Sequence, residues 1–243
     1  MEQQTGHLID AAAELIARSK RTVAFTGAGV STESGIPDFR SPGGIWSKFD
    51  PEDFTYQKFL ADPGARRKHW ELIRGSFSAT ARPNPAHYAI AELGRMGKLE
   101  CVITQNVDDL HQRAGSQGQK VFELHGNLKW AVCLSCHERY SSDEVARWLE
   151  SGVEVPDCPA CHGVLKPAAV FFGESLPVAV LQAATEHARA CDLMLVIGST
   201  LTVYPAAYMP VYALESGARV IIVNLSPTPL DRDAAVLIRG KAG

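Results

Sequence analysis

Apolar residues along the chain follow two rhythms. From Leu8 to Ala17 they recur at three- and four-residue spacing, the period of an amphipathic helix. Arg21 to Phe25 reads as a short buried strand. Phe49 to Arg82 is helical in pattern but irregular, with a break at Pro63-Gly64, and is expected to be an inserted cap. Asn84-Pro85 sets an N-cap before a proline at the first helical position, so a helix is expected to run to about Met96, before Gly97. Cys101-Val102-Ile103 and Val121-Phe122-Glu123 are further short strands. After a cysteine-bearing interruption, Trp130 to Gly163, with one short helix (Asp143 to Glu150, capped by Ser142), alternation resumes. It continues as strand Ala168 to Phe171, helix Pro177 to Ala190, strand Asp192 to Ile197, helix Ala206 to Glu215 and strand Arg219 to Val223. Strands alternating with helices imply an α/β fold with a doubly wound, Rossmann-like parallel sheet. No internal repeat or low-complexity tract interrupts it.

Length then bounds the organisation. At 243 residues the chain sits near the upper limit for one hydrophobic core, so a single domain with inserted modules is expected. The core would comprise residues 1–45, 84–128 and 165–243, with a helical insert at 46–83 and a cysteine module at 129–164. Charge changes the picture little: a formal net charge of −3 gives no global reason to bind nucleic acid or an anionic membrane. The apolar run Leu193 to Ile197 is far too short to span a bilayer, and the polar start, Met1 to His7, lacks a signal-peptide core. Four of the six cysteines form two tight pairs, and Cys101 and Cys191 lie in apolar segments. That usage suits zinc in a reducing compartment, and a cytoplasmic protein is expected.

Candidate chemistry gathers at strand ends, where doubly wound sheets bind ligands. Thr26-Gly27-Ala28-Gly29-Val30-Ser31 directly follows a strand, so backbone N–H groups can face a diphosphate. The third glycine of the dehydrogenase fingerprint is missing and no ribose-binding acid follows about twenty residues on. Ser34-Gly35-Ile36-Pro37-Asp38-Phe39-Arg40 comes instead, and its arginine could pair with the diphosphate. Hydride transfer is disfavoured; a different use of a dinucleotide is favoured. Gln105, Asn106, Asp108, His125, Gly198-Ser199-Thr200 and Asn224 fall at other strand ends, although Asp108 could simply cap a helix through Leu110 to Arg113. His125, after an apolar strand and before a glycine, suits an oriented imidazole titrating near neutrality and acting as a base. His7, His69, His87 and His187 read as ordinary surface or packing residues. Cys133, Cys136, Cys158 and Cys161 present four thiolates, enough to close a tetrahedral structural zinc site, with His137 and His162 as alternative ligands.

These motifs, in this order, resemble the sirtuins, the NAD-dependent protein deacylases, specifically the bacterial type with a zinc module. The likeness runs through Gly27-Ala28-Gly29-Val30-Ser31, Gly35 to Arg40, Thr104-Gln105-Asn106-Val107-Asp108, Leu124-His125-Gly126, both cysteine pairs, Val170-Phe171-Phe172-Gly173-Glu174 and Gly198-Ser199-Thr200-Leu201. It implies NAD as co-substrate and one structural zinc ion, with an acyl-lysine tunnel between the two modules. By family role Ala28, Thr32, Arg40, Ser199, Thr200, Asn224, Leu225 and the Lys241 region would hold the dinucleotide. Phe39 would shield the nicotinamide end, with Ile36 and Asp38 near the carboxamide. Gln105, Asn106 and Asp108 would organise the ribose and nicotinamide pocket. Val170, Phe172 and Gly173-Glu174 would pair with substrate backbone by strand addition. Thr200 stands where serine is common, and Asp109 where a smaller or polar residue is frequent. The Tyr-x-x-Arg pair of succinyl- and malonyl-preferring members is replaced by Trp70-Glu71-Leu72-Ile73-Arg74, so acetyl-lysine is the expected substrate.

The likeness further implies that His125, neutral near pH 7, takes a ribose hydroxyl proton, with nicotinamide, free lysine and 2′-O-acetyl-ADP-ribose as products. Acetyl-lysine proteins or peptides are the expected partners; neither nucleic acid nor a membrane is. Two other readings fit parts of the pattern. One is an NAD-dependent mono-ADP-ribosyltransferase, the other a non-catalytic NAD-sensing or zinc-ribbon module, against which Asn106, Asp108 and His125 argue.

Overall fold

The computed structural model describes residues 2–76 and 81–243. In chain order these form α1 (Glu2–Arg18), β1 (Thr22–Thr26), α2 (Tyr56–Ala61), α3 (Pro63–Ser76), α4 (Pro85–Arg95), β2 (Cys101–Thr104), α5 (Leu110–Arg113) and β3 (Val121–Glu123). Then follow β4 (Gly126–Cys133), β5 (Arg139–Ser141), α6 (Ser142–Glu150), β6 (Leu165–Ala169), α7 (Val178–Ala190), β7 (Leu193–Ile197), α8 (Tyr208–Glu215), β8 (Arg219–Val223) and β9 (Val236–Ile238). Residues 77–80 of the expected helical insert lie outside the described residues.

Six strands make an all-parallel sheet in the order β3-β2-β1-β7-β8-β9. Every residue of β1 and β2 is buried, as expected where helices cover both faces. The two-residue period of β1 sends Val23 and Phe25 to one face, against Ala184 and Ala188 of α7 and Met209 and Ala213 of α8. Ala24 turns to the other face, towards Ala86 and Ile90 of α4. Farther along that face Leu195 and Ile221 meet Ala12 of α1. Full burial of a side chain such as Phe25 or Ile103 contributes roughly 1.5–3 kcal/mol. The chain builds the sheet outward in one direction through β2 and β3, then in the other through β7, β8 and β9. The crevice at the carboxyl ends therefore opens where the order reverses, between β1 and β7.

A second, antiparallel sheet, β5-β4-β6, carries the cysteines. Here the expected strand Ala168 to Phe171 is corrected. The strand is Leu165–Ala169, and it pairs antiparallel with β4 instead of joining the parallel sheet. The helix cap is also corrected: Ser141, not Ser142, accepts from Glu144 N, and Glu144 reaches back to Ser141 N at 2.8 Å, a complete capping box. The edge strand β9 and the start of α8 at Tyr208 differ from the sequence expectation as well.

Between the sheets lies the insert. Thr55 caps α2 and Pro63 opens α3. Trp70 of α3 packs with Ala131, Val145, Leu149 and Leu165, joining the insert to the cysteine sheet. Tyr56 N donates to Phe172 O at 2.8 Å, stitching the insert to the segment after β6. Among the described residues no helix is long and apolar enough to cross a membrane.

Candidate active site

The site begins where β1 and β7 end. Gly27 N donates to Ile197 O (3.1 Å) and Gly29 N to Gly198 O (2.8 Å), so the two strand-end loops touch backbone to backbone. Gly198 makes this contact possible. Its φ of +64° lies in the left-handed region, and a Cβ there would come within 2.2 Å of Val30 N. A Cβ at Gly27 or Gly29 would likewise meet Gly198 at 2.8 Å. Two short 3₁₀ turns, Ala28–Val30 and Thr32–Ser34, follow.

Behind this cradle runs a chain of polar side chains. Ser31 Oγ donates to Asp108 Oδ2 at 2.7 Å, and Asn106 Nδ2 donates to Ser31 Oγ at 3.0 Å. Asp108 Oδ1 also accepts from Leu110 N at 3.0 Å, so one carboxylate holds both the first N–H of α5 and Ser31, while Asp109 occupies the N-cap position. Gln105 Nε2 donates to Ser199 Oγ at 2.9 Å, tying the β2 end to the β7 end. Asp109, in the left-handed conformation, pairs with Lys129 at 2.5 Å.

His125 stands half-buried past β3, its Nδ1 2.9 Å from Gln105 O. A carbonyl only accepts, so the proton sits on Nδ1 and Nε2 keeps its lone pair. Burial lowers its pKa below 6.5 against the raising influence of that carbonyl, which keeps the ring neutral and basic at pH 7. Gly126 then lets the chain pass against β6: its φ is +68°, and a Cβ would sit 2.1 Å from Ala168 O. Val170 N donates to His125 O at 2.8 Å.

These groups surround one cavity of about 740 Å³. It brings together every residue expected to meet dinucleotide or peptide. Gly27, Ala28, Gly29, Ser31 and Thr32 come from the cradle; Ile36, Asp38, Phe39 and Arg40 from the next loop; Gln105, Asn106, Val107, Asp108 and His125 from β2 and β3. Gly198, Ser199, Thr200, Asn224, Leu225 and Lys241 close the far side, and Val170, Phe172, Gly173 and Glu174 the near one. Asp38 turns part of its capacity inward, accepting from Ser41 N at 2.8 Å to shape its own loop. Phe39 meets Trp46 at 5.3 Å, and Trp46 meets Phe172 at 5.9 Å, an aromatic rim between insert and core.

Several participants carry no sequence signal. Lys166, 7% exposed at its side chain, pairs with Glu174 at 3.1 Å and donates to Ala169 O at 2.6 Å, fixing the Val170–Glu174 segment. Of the two readings offered for His69, surface or packing, burial favours packing, and the ring also lines the cavity and is held down to a pKa of about 4 by desolvation. His87 helps cap α4 through Asn84 and approaches Ser31 Oγ at 3.4 Å. Fully buried His111 lies 2.9 Å from Thr26 Oγ1 and is pushed down to about 3, again mainly by desolvation.

An acid sensitivity follows from these rings. As pH falls below 6.5 the unfolded chain takes up protons that the folded chain refuses, so stability declines from that pH downward. His69 alone should cost about 3 kcal/mol by pH 4, and His87, His111 and His125 act in the same direction. Urea midpoints measured at pH 7 and pH 4 would read this drop; equal midpoints would contradict it.

The four predicted metal ligands converge on the second sheet. Cys133, Cys136, Cys158 and Cys161 place their Sγ atoms within 4.8 Å of one another, with Cys133–Cys161 at 3.5 Å and Cys136–Cys158 at 3.6 Å. Thiolates about 2.3 Å from a tetrahedral zinc stand at nearly this separation, so the donor set fits that ion. Neither His137 nor His162 belongs to the cluster, although both adopt positive φ where each knuckle turns.

The model of the Sir2 family matches residues 27–205. A relative from Pyrobaculum aerophilum, NAD-dependent protein deacetylase 1, is 48% identical over 236 residues, covering 96% of this chain and 90% of that protein. NAD-dependent protein deacylase 2 of Archaeoglobus fulgidus is 49% identical over 235 residues, with the same coverage. A solved Sir2 protein with a deacetylated p53 peptide and 3′-O-acetyl ADP ribose superposes with a TM-score of 0.91 at 40% identity, over 96% of this chain and 94% of that one. The parallel six-stranded sheet, the four-cysteine sheet and the matched span agree: this chain belongs to the Sir2 family.

Proposed function

We propose that the chain is an NAD-dependent protein lysine deacetylase that moves the acetyl group of acetyl-lysine to ADP-ribose and releases nicotinamide. The observation that carries this reading is convergence: a glycine cradle, an Asn106–Ser31–Asp108 network and a neutral imidazole share one cavity. The cradle fits a dinucleotide because any side chain at Gly27, Gly29 or Gly198 would collide with neighbouring backbone, leaving only main chain to face a diphosphate. When bound, NAD supplies the glycosidic bond whose cleavage frees nicotinamide and opens the ribose to the acyl group.

The chain's own residues do the rest. Ala28, Thr32, Arg40, Ser199, Thr200, Asn224, Leu225 and Lys241 would hold the dinucleotide, Arg40 and Lys241 by charge. Gln105, Asn106 and Asp108 would orient the ribose and nicotinamide, with Phe39 and Ile36 keeping water from the leaving group. His125 Nε2 would accept a ribose hydroxyl proton, directing the acetyl group to the 2′-oxygen. Val170, Phe172, Gly173 and Glu174 would lie beside the peptide backbone. The core at 1–45, 84–128 and 165–243, the insert at 46–83 and the zinc module at 129–164 would then divide nucleotide, acyl chain and scaffold among themselves. The reduced thiolate clip suits the cytoplasm.

The test is to incubate the protein with acetyl-peptide and NAD labelled in the adenosine. The expected result is label in a small acetylated product with stoichiometric nicotinamide. Label retained on protein would point instead to ADP-ribosyl transfer and overturn the reading.

A further inference from the structure

Helix α3 brings a second imidazole to the cavity wall. His69 is 3% exposed and lines the cavity beside Leu72 and Ile73 of the same helix, with Phe54 and Phe171 opposite. Its ring centre lies 4.5 Å from that of Phe54, 5.0 Å from Phe59 and 4.3 Å from Phe171. His69 Nδ1 lies 3.0 Å from Ala65 O, one helical turn back. Because that oxygen can only accept, the ring proton resides on Nδ1 and Nε2 presents a bare lone pair. Nε2 is buried and has no hydrogen-bond partner among the described residues. The ring stays neutral at pH 7, so Nε2 remains an acceptor there. The neighbouring ammonium of Lys166 cannot complete it, since its protons go to Pro167 O (3.0 Å), Ala169 O (2.6 Å) and Glu174 (3.1 Å).

An orphaned acceptor in an otherwise apolar wall asks for a donor brought by the ligand. We infer that His69 Nε2 is an acceptor subsite for the acyl chain, and that the protein prefers acyl-lysines whose chain carries a hydroxyl group to the same chains without one. The inference rests on the deacetylase reading above, which puts the acyl chain inside this cavity. A hydroxyl donates one hydrogen bond to the lone pair while its carbon chain lies on the Phe54 and Phe171 rings. A terminal carboxylate would oppose lone pair with lone pair, beside a Lys166 already committed. The acetyl methyl group offers no donor and leaves Nε2 unpaired.

Two peptides differing only in butyryl or 3-hydroxybutyryl on one lysine, each hydroxyl enantiomer tested, read the subsite as a ratio of kcat/KM. One enantiomer is expected to exceed butyryl by about tenfold, the order of a hydrogen bond to a buried acceptor. In His69→Phe the ratio should fall to about one; His69→Leu serves if that variant does not fold. Titration calorimetry of the same peptides with the native protein should give a matching preference. A native ratio near one for both enantiomers overturns the subsite, as does a high ratio that persists without the imidazole. Acetyl-peptide with NAD is the control. If it turns over while the ratio is one, only the subsite fails; if no acyl-peptide turns over, the deacetylase reading fails and the subsite with it.

Discussion

Replacing His125 with alanine is expected to cut NAD-dependent turnover of acetyl-peptide by on the order of 100- to 10,000-fold, the usual contribution of a positioned general base. Gln105 O holds the proton on Nδ1 and thereby directs the free lone pair of Nε2 outward. Truncation removes that lone pair but leaves the Gln105 carbonyl at a half-buried wall, where water can replace the lost donor. The fold should therefore survive, and NAD affinity should change far less than turnover, because cradle and polar network do not depend on the ring. Nicotinamide release and an NAD titration on the purified variant measure the two separately. The pH profile supplies a second signature. Below 6.5, native kcat/KM should decline as pH drops through the lowered His125 pKa, and this acid limb should vanish in the variant. A variant that matches the parent at every pH would show that some other group accepts the proton.

Removing zinc, or one of its ligands through Cys133→Ala, is expected to unfold the cysteine sheet and abolish activity from a distance. Cys133 and Cys158 are fully buried and pack with Trp70, Val145, Leu149 and Leu165, so the metal site lies within this small core. Structural zinc in small modules contributes apparent binding free energies of about 10–16 kcal/mol, comparable to the whole net stability of a typical domain, about 5–15 kcal/mol. Without the cation, four converging thiols have no reason to hold two knuckles together. The damage should spread by two routes. β6 leads directly into the Val170–Glu174 segment, and Trp70 ties the same core to α3. Zinc content, melting temperature and protease cleavage within residues 129–164 would follow the loss. Native melting and full turnover from protein shown to be metal-free would refute the assignment.

What could be read from the chain, and what could not, divides along physical lines. β1, β2, β7 and β8 are interior parallel strands, and continuous runs such as Thr22–Thr26 and Leu193–Ile197 announce them. Asn84-Pro85 marks its helix because capping is local chemistry. The second sheet is harder: β4 mixes buried, half-buried and exposed positions without clean alternation, and β5 has three residues. Pro167 sits inside β6, where a proline normally argues against a strand, and so the expected strand was displaced towards Phe171. Neighbouring serines at 141 and 142 offer the same cap chemistry, and only the reach of Glu144 decides between them. At the site, residues embedded in distinctive local motifs were legible. Trp46 and His69 were not, because their roles arise from contacts made only when the insert folds over the core, and Lys166 was not, because its partners Ala169 O and Glu174 come within reach only once the chain bends back after β6.

The hydrogen bond from Val170 N to His125 O ties the segment proposed to hold peptide to the main chain of the proposed base. A peptide strand gripping Val170 would press on the same stretch of main chain that aims the imidazole. Under those proposed roles docking and aiming would behave as one lever, and part of a long substrate's grip would be spent on alignment instead of affinity. A bare acylated lysine, with no flanking main chain to pull on that lever, would enter the cavity and find the base slack.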